Sequence, residues 1–328
     1  MYLEHFGMRE LPFTLTPNRK FFFNDGEHRE ALNVLMVALR SGEGFIKITG
    51  EVGTGKTLLC AKLMSLLGPD YVTAYISNPL TTPTGLLCAL EEELGCAPAN
   101  AQGNDLLGHI ASSLFLSRLG GGAETPMRRE GRTNPVERDG LQAGIGEITV
   151  GYPPFKRIAR RVRNLHAAGR KVVVLLDEAQ SLPLASLETL RLLTNLETQT
   201  SKLMQIVLFG QPELDLLLSR PVIRQLRQRI TFSYTLPSLD RARLERYVAY
   251  RLGTAGCRRR NLFTPRALRA LARGSRGIPR LVNILGHKAL MSAYGRRDHC
   301  VAWQHVRRAI RDTEDARTRL FQRGSFFS

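Results

Sequence analysis

No run of about 18 apolar residues occurs in the chain, so no transmembrane helix is expected. The N-terminus lacks a basic region followed by an apolar core, and no signal peptide is expected either. Cysteine is sparse, and Cys60, Cys88, Cys96, Cys257 and Cys300 form no Cys-x-x-Cys pair and adjoin no histidine cluster. That pattern fits a reducing compartment and argues against a structural zinc. A single tryptophan, Trp303, is present, with no helix-turn-helix pattern and no stripe of stacking aromatics. Acidic residues are also short: 47 Lys+Arg face 29 Asp+Glu, for a net charge of +18. The shortage begins after residue 100, because residues 1–100 carry 8 basic and 11 acidic side chains and the remainder 39 and 18. Such a surface attracts nucleic acid or anionic lipid without specificity. An arginine-rich composition, together with a ligand site that needs cations, explains the excess equally well.

What is present is a globular composition, 43% hydrophobic and 23% charged over 328 residues, a length that suggests two domains. Residues 50–57 read Gly50-Glu51-Val52-Gly53-Thr54-Gly55-Lys56-Thr57. A glycine, four free positions and then Gly-Lys-Thr form the phosphate-binding loop of nucleotide hydrolases. The glycines permit backbone angles and close approaches that a side chain would forbid. Backbone N–H groups then converge on the β-phosphate as an anion nest. Lys56 is expected to reach the β- and γ-phosphates of ATP and Thr57 to place its hydroxyl on Mg²⁺. The context agrees with the motif: residues 45–49 form a β-rich apolar stretch, and residues 56–67 carry leucines at helical spacing before Gly68-Pro69. A glycine-rich turn leading into an ordinary helix is the competing reading.

Hydrolysis also needs a carboxylate for the metal and a group that positions water. Residues 172–176 are five consecutive aliphatics, the pattern of a strand buried on both faces, and Asp177-Glu178 follow it. Open α/β sheets place ligands at the C-terminal ends of their strands. Asp177 is therefore assigned to Mg²⁺ through water, and Glu178 to polarising the attacking water. Two solvated acids ending a strand are the plainer alternative. Apolar β-type segments at 45–49, 71–76, 172–176, 203–209 and 230–236 alternate with helical patterns. A five-stranded parallel sheet with right-handed crossovers and helices on both faces is expected.

From about residue 238 the pattern is helical. Leu239-Asp240 opens a helix reaching Leu252, Thr264-Pro265 forms an N-cap and first-turn pair, Gly277 opens another helix, and residues 301–312 make the last. The expected division is a nucleotide-binding domain over 1–237, a helical lid over 238–316 and a frayed tail over 317–328. Phe6, Phe13 and Phe21–Phe23 are expected near the nucleotide base or against the sheet.

With these motifs in place the chain resembles the AAA+ ATPases, more narrowly the general secretion pathway protein A family, and within it the ATPases of mannose-sensitive haemagglutinin pilus biogenesis. The resemblance is carried by Met1 to Gly7 with Pro12-Phe13 and Thr16-Pro17, by Ser41 to Cys60, and by Leu175 to Gln180. It continues through Leu190 to Leu214, Arg224 to Ile230, Gly277-Ile278-Pro279-Arg280 and Ile310 to Ala316. It implies a polar γ-phosphate sensor at Gln211, where a turn residue before Pro212 is the alternative. It also implies a residue at Asn78 that holds the catalytic glutamate in check. Arg229, with Arg227 as alternative, would be an arginine finger given to the neighbouring subunit's nucleotide, although both could belong to a plain basic face. Arg280 would sense the γ-phosphate from the lid. A nucleotide-dependent homo-oligomer, a pilus or secretion assembly protein of the inner membrane as partner, and a cytoplasmic location, peripheral to that membrane, are likewise implied.

Residues 115–155 depart from the family, with Gly120-Gly121-Gly122, a run of arginines and Pro153-Pro154. An insertion is expected to split a helix that begins at Asn104–Leu114 and ends at Arg160–Ala168. Its composition suits a disordered loop, with a binding loop as the alternative. Three functions compete: an ATPase of pilus or type II secretion machinery, a DNA-acting ATPase, and a nucleotide-binding module with little turnover.

Overall fold

The computed structural model describes residues 2–16, 18–79, 82–96, 153–198, 201–259 and 261–317. Most of the expected insertion and the tail beyond Arg317 lie outside these residues, as does the helix expected over 104–114.

Five strands form one parallel sheet: β1 (Phe45–Gly50), β2 (Tyr71–Ile76), β3 (Lys171–Leu176), β4 (Met204–Gly210) and β5 (Ile230–Leu236), in the order β2-β3-β4-β1-β5. Each strand lies within a residue of its expected limits. The continuous aliphatic run of β3 serves both faces of the sheet. Val172, Val174 and Leu176 enter one apolar core, and Val173 and Leu175 enter the other. Helices α2 (Glu27–Arg40) and α3 (Lys56–Leu66) cover the second face through Leu35, Leu39, Leu59 and Leu63. Helices α4 (Pro83–Glu93), α5 (Pro153–Ala167), α6 (Leu184–Leu193), α7 (Glu213–Leu218) and α8 (Arg224–Gln228) supply the first. Among the described residues β2 and β5 are the edge strands. β5 alternates exposed and partly buried positions, as an edge strand packed on one side should.

Helix α5 corrects the expected boundary of the insertion. The helix starts at Pro153, inside the range given to the loop, because Phe155, Ile158, Val162 and Leu165 form an apolar stripe at helical spacing. An ion pair from Arg157 to Glu91 fastens it to α4.

A third core belongs to the C-terminal helices α9 (Arg241–Thr254), α10 (Pro265–Ser275), α11 (Pro279–Gly295), α12 (Trp303–Arg311) and α13 (Glu314–Arg317). Asp240 caps α9 by accepting from Arg243 N, and Thr264 caps α10 by accepting from Ala267 N. The N-terminal segment, including α1 (Tyr2–Phe6), packs into this core rather than on the sheet. Tyr2, Phe6 and Phe13 are buried there with Phe23 at its edge, while Phe22 alone of the five phenylalanines reaches the sheet-face core. The anchor is Arg251, 4% exposed, whose Nε donates to Pro12 O at 2.6 Å and whose guanidinium lies 4.4 Å from the Phe21 ring centroid. A buried guanidinium needs such partners, and these are supplied by the backbone and ring faces of the incoming strand of chain. Among the described residues no helix is long and apolar enough to cross a membrane.

Candidate functional site

The loop Gly50–Thr57 leaves β1 and opens α3. Gly53 (φ 83°) and Gly55 (φ 102°) adopt left-handed angles that strain any side chain. Gly53 has a second constraint, because a Cβ there would stand 2.5 Å from Arg280 Cβ. The first turn of α11 touches the loop directly at this point, and Arg280 N donates to Gly53 O at 3.2 Å. On the other side His28 Nε2 lies 3.1 Å from Thr54 O. A carbonyl only accepts, so Nε2 carries the proton. Burial pushes the imidazole pKa down, which keeps it neutral for this role.

Lys56 is 5% exposed, and its Nζ donates to Gly50 O at 2.8 Å and Glu51 O at 3.1 Å. Burial lowers its pKa, and Glu178 and Asp177 oppose the shift. An ammonium held on two backbone carbonyls inside the loop is poised to exchange them for phosphate oxygens. Thr57 Oγ1 donates to Asp177 Oδ2 at 2.6 Å, across from α3 to the end of β3. Asp177 is 3% exposed, and burial raises its pKa against the hydrogen bonds from Thr57 and from Glu178 N. On the neighbouring β2, burial pushes the Tyr75 phenol pKa up, and the Asp177 carboxylate nearby adds to the shift. Hydroxyl and carboxylate oxygens side by side make a hard donor set, which suits Mg²⁺ and poorly suits soft metals.

Glu178 stands in the left-handed region at φ 53°. That conformation costs a non-glycine residue about 1 kcal/mol or more, and such strain gathers at functional sites. Its carboxylate is clamped on one oxygen. Gln180 Nε2 donates to Glu178 Oε2 at 2.6 Å and Gln211 Nε2 donates to the same atom at 2.9 Å. Gln180 Oε1 in turn accepts from Gln211 N at 3.0 Å, joining the end of β4 to the turn after β3. Gly210 belongs to this arrangement, since a Cβ there would approach Gln180 Oε1 to 3.2 Å and Leu214 Cδ2 to 2.6 Å.

Lys56, Thr57, Asp177, Glu178, Gln211 and the backbone of Arg280 therefore converge around one loop. The remaining sequence candidates stand elsewhere. Asn78 is exposed beyond the end of β2, and among the described residues the amides on Glu178 are those of Gln180 and Gln211. Arg229 Nη1 donates to Thr194 Oγ1 at 3.1 Å and faces Arg191 O at the C-terminal end of α6, a favourable place for a cation. Arg227 is exposed. Sequence reasoning missed the roles of Gln180, His28 and Tyr75. Gln180 was visible only as part of the Asp177-Glu178-Ala179-Gln180 string, and nothing local ties His28 or Tyr75 to residues 26 and 102 positions away.

Residues 39–119 and 141–218 match the family model described as "AAA domain". The chain is 39% identical over 299 residues to "General secretion pathway protein A" of Aeromonas hydrophila, covering 91% of this chain and 46% of that protein. It thus spans about half the length of that curated relative. Among solved structures it is similar to Cdc6p from Pyrobaculum aerophilum, with 15% identity, a TM-score of 0.56 and coverage of 94% of this chain and 70% of that one. The ORC2 protein of Aeropyrum pernix is similar at 19% identity and a TM-score of 0.55, covering 90% of this chain and 72% of that one. Identities this low speak to the fold alone, whereas the first relative matches sequence along nearly the whole chain. The chain belongs to the AAA+ family, in the branch that holds general secretion pathway protein A.

Proposed function

We propose that the chain binds ATP with Mg²⁺ and hydrolyses it, and that this turnover serves pilus assembly of the mannose-sensitive haemagglutinin type or type II secretion. The observation that carries the proposal is the Thr57–Asp177 contact, with Glu178 beside it on the Gln180–Gln211 clamp. In this reading the loop amides and Lys56 hold the phosphates. Thr57 and Asp177 would hold Mg²⁺, which when bound would supply neutralisation of the phosphate charge. Glu178 takes the proton of the attacking water, and Gln211 joins the end of β4 to the γ-phosphate. The helical region from Arg241 acts as the lid, bringing Arg280 over the loop. Asn78 is retained as a candidate to restrain Glu178, alongside the two glutamines. Arg229 or Arg227 reaches the nucleotide of a neighbouring copy, and so assembly and turnover are linked. A homo-oligomer on the cytoplasmic side of the inner membrane, working on an assembly protein of that membrane, completes the reading. The pilus role rests on resemblance alone, while the match to general secretion pathway protein A of Aeromonas hydrophila supports the secretion role.

Lys56→Ala and Glu178→Gln test the chemistry. Both should cut phosphate release by at least about 100-fold, the scale expected for losing a positioned base or a transition-state cation. Glu178→Gln should still retain ATP on a desalting column, while Lys56→Ala should not. Turnover near the wild-type rate in either variant would refute the assignment.

A further inference from the structure

The outer face of α12 carries a feature that nucleotide hydrolysis leaves unused. Its inward side chains, His305, Val306 and Ala309, are buried, while Trp303, Gln304, Arg307, Arg308 and Arg311 point outward. With Arg296 at the end of α11 and Asp312 they line a cavity of about 370 Å³. Among the described residues no carboxylate is within ion-pair range of the four arginines. Asp312, the cavity's own acid, is not in range either. Some surface arginines are matched, as Arg241, Arg243 and Arg246 are by Glu245, Glu27 and Asp25. The Trp303 ring is 38% exposed, with the Arg307 guanidinium 5.8 Å from its centroid. The place is separate from the ATP loop. Arg280 stands in the first turn of α11 and Arg296 just past its last, about 24 Å apart at ~1.5 Å rise per residue.

We propose that this cavity binds a single strand of nucleic acid, its phosphates on Arg296, Arg307, Arg308 and Arg311 and a base against Trp303. Unpaired guanidiniums recognise phosphate in a fixed, forked geometry and stack on planar groups, which lysine does not. An aromatic face beside a cationic track is the arrangement by which proteins hold single strands regardless of sequence. A membrane surface is the competing polyanion. It calls for a convex face with protruding apolar side chains, whereas the ring here lines a recess and is flanked by cations. The surrounding charge favours the same class of partner, with 19 Lys+Arg against 6 Asp+Glu over residues 238–317.

The chain has one tryptophan, so Trp303 emission reports on this cavity alone. Titrating the full chain with an oligodeoxythymidylate of about 20 nucleotides at about 50 mM salt should quench that emission. Three or four phosphate contacts predict affinity falling roughly 20- to 50-fold between 50 and 200 mM salt. Arg307→Ala/Arg308→Ala/Arg311→Ala should weaken binding at least about tenfold while leaving basal ATP turnover unchanged. The single reversal Arg308→Glu reads the same effect should the triple variant fold poorly. Absence of quenching at low salt would overturn the proposal, as would quenching that survives the arginine changes. Quenching by phosphatidylglycerol vesicles but not by the oligonucleotide would assign the cavity to a membrane instead. Quenching by thymidine monophosphate as strong as by the strand would reduce it to a nucleotide pocket, also against the proposal.

Discussion

Asp177 shows how one side chain is held against its own preference. Burial raises its pKa, so the native state keeps a proton that the unfolded chain has released. Below the unfolded value of 3.8 both states are protonated and the residue contributes no pH dependence. As pH rises from there through the folded value, the unfolded chain ionises first and native stability falls. The loss persists at neutral pH. Asp177→Asn keeps an acceptor for Thr57 Oγ1 and removes the buried charge. The variant should therefore melt above the wild type at neutral pH, lose the wild type's decline in stability above pH 3.8, and lose Mg²⁺-dependent turnover. A lower melting temperature at neutral pH would show that the buried carboxylate is stabilised by more than Thr57 and Glu178 N. The phosphate loop and the acid pair were legible because their neighbours in sequence are their neighbours in space. The Gln180–Gln211–Glu178 clamp was not, since it joins two strand ends 31 residues apart through side-chain amides. A sequence pattern records no such geometry.

At the scale of elements, the strands were read almost to the residue because a doubly covered parallel strand must be apolar along its covered length, as β3 is from Val172 on. The N-terminal aromatics misled because an apolar residue records that it is buried, not which core buries it. Phe6 and Phe13 joined the helical core, where Arg251 anchors the same segment through Pro12 O and the Phe21 ring, 239 and 230 positions away. The connection that positions Arg280 is equally tight. Gly277 has φ 73°, Leu239 N donates to its carbonyl, and a Cβ on it would fall 2.0 Å from Leu239 O. Gly277→Ala should lower stability by more than about 2 kcal/mol in urea denaturation and weaken ATP binding by displacing α11 from the loop. Wild-type stability in that variant would mean that the turn adapts cheaply and does not fix Arg280.

For the whole molecule, contacts run from the C-terminal helices to the phosphate loop, through Arg280 and Gly53, and from the N-terminal segment to those same helices. The loop is thus tied to the C-terminal helices, and those helices to the N-terminal segment. The basic excess lies after residue 100, and of the finger candidates Arg227 is exposed while Arg229 is held by Thr194. A second copy is what would make them catalytic. The most direct measurement is the ATP turnover rate per subunit against protein concentration, for the wild type, Glu178→Gln, and Arg227→Ala and Arg229→Ala. A composite active site requires the wild-type rate per subunit to climb with concentration toward a plateau. Glu178→Gln should stay inactive throughout. One arginine variant should stay inactive alone yet recover turnover when mixed with Glu178→Gln, whose subunits still supply the finger. A wild-type rate per subunit that is flat across concentration, or an active Glu178→Gln, would contradict it.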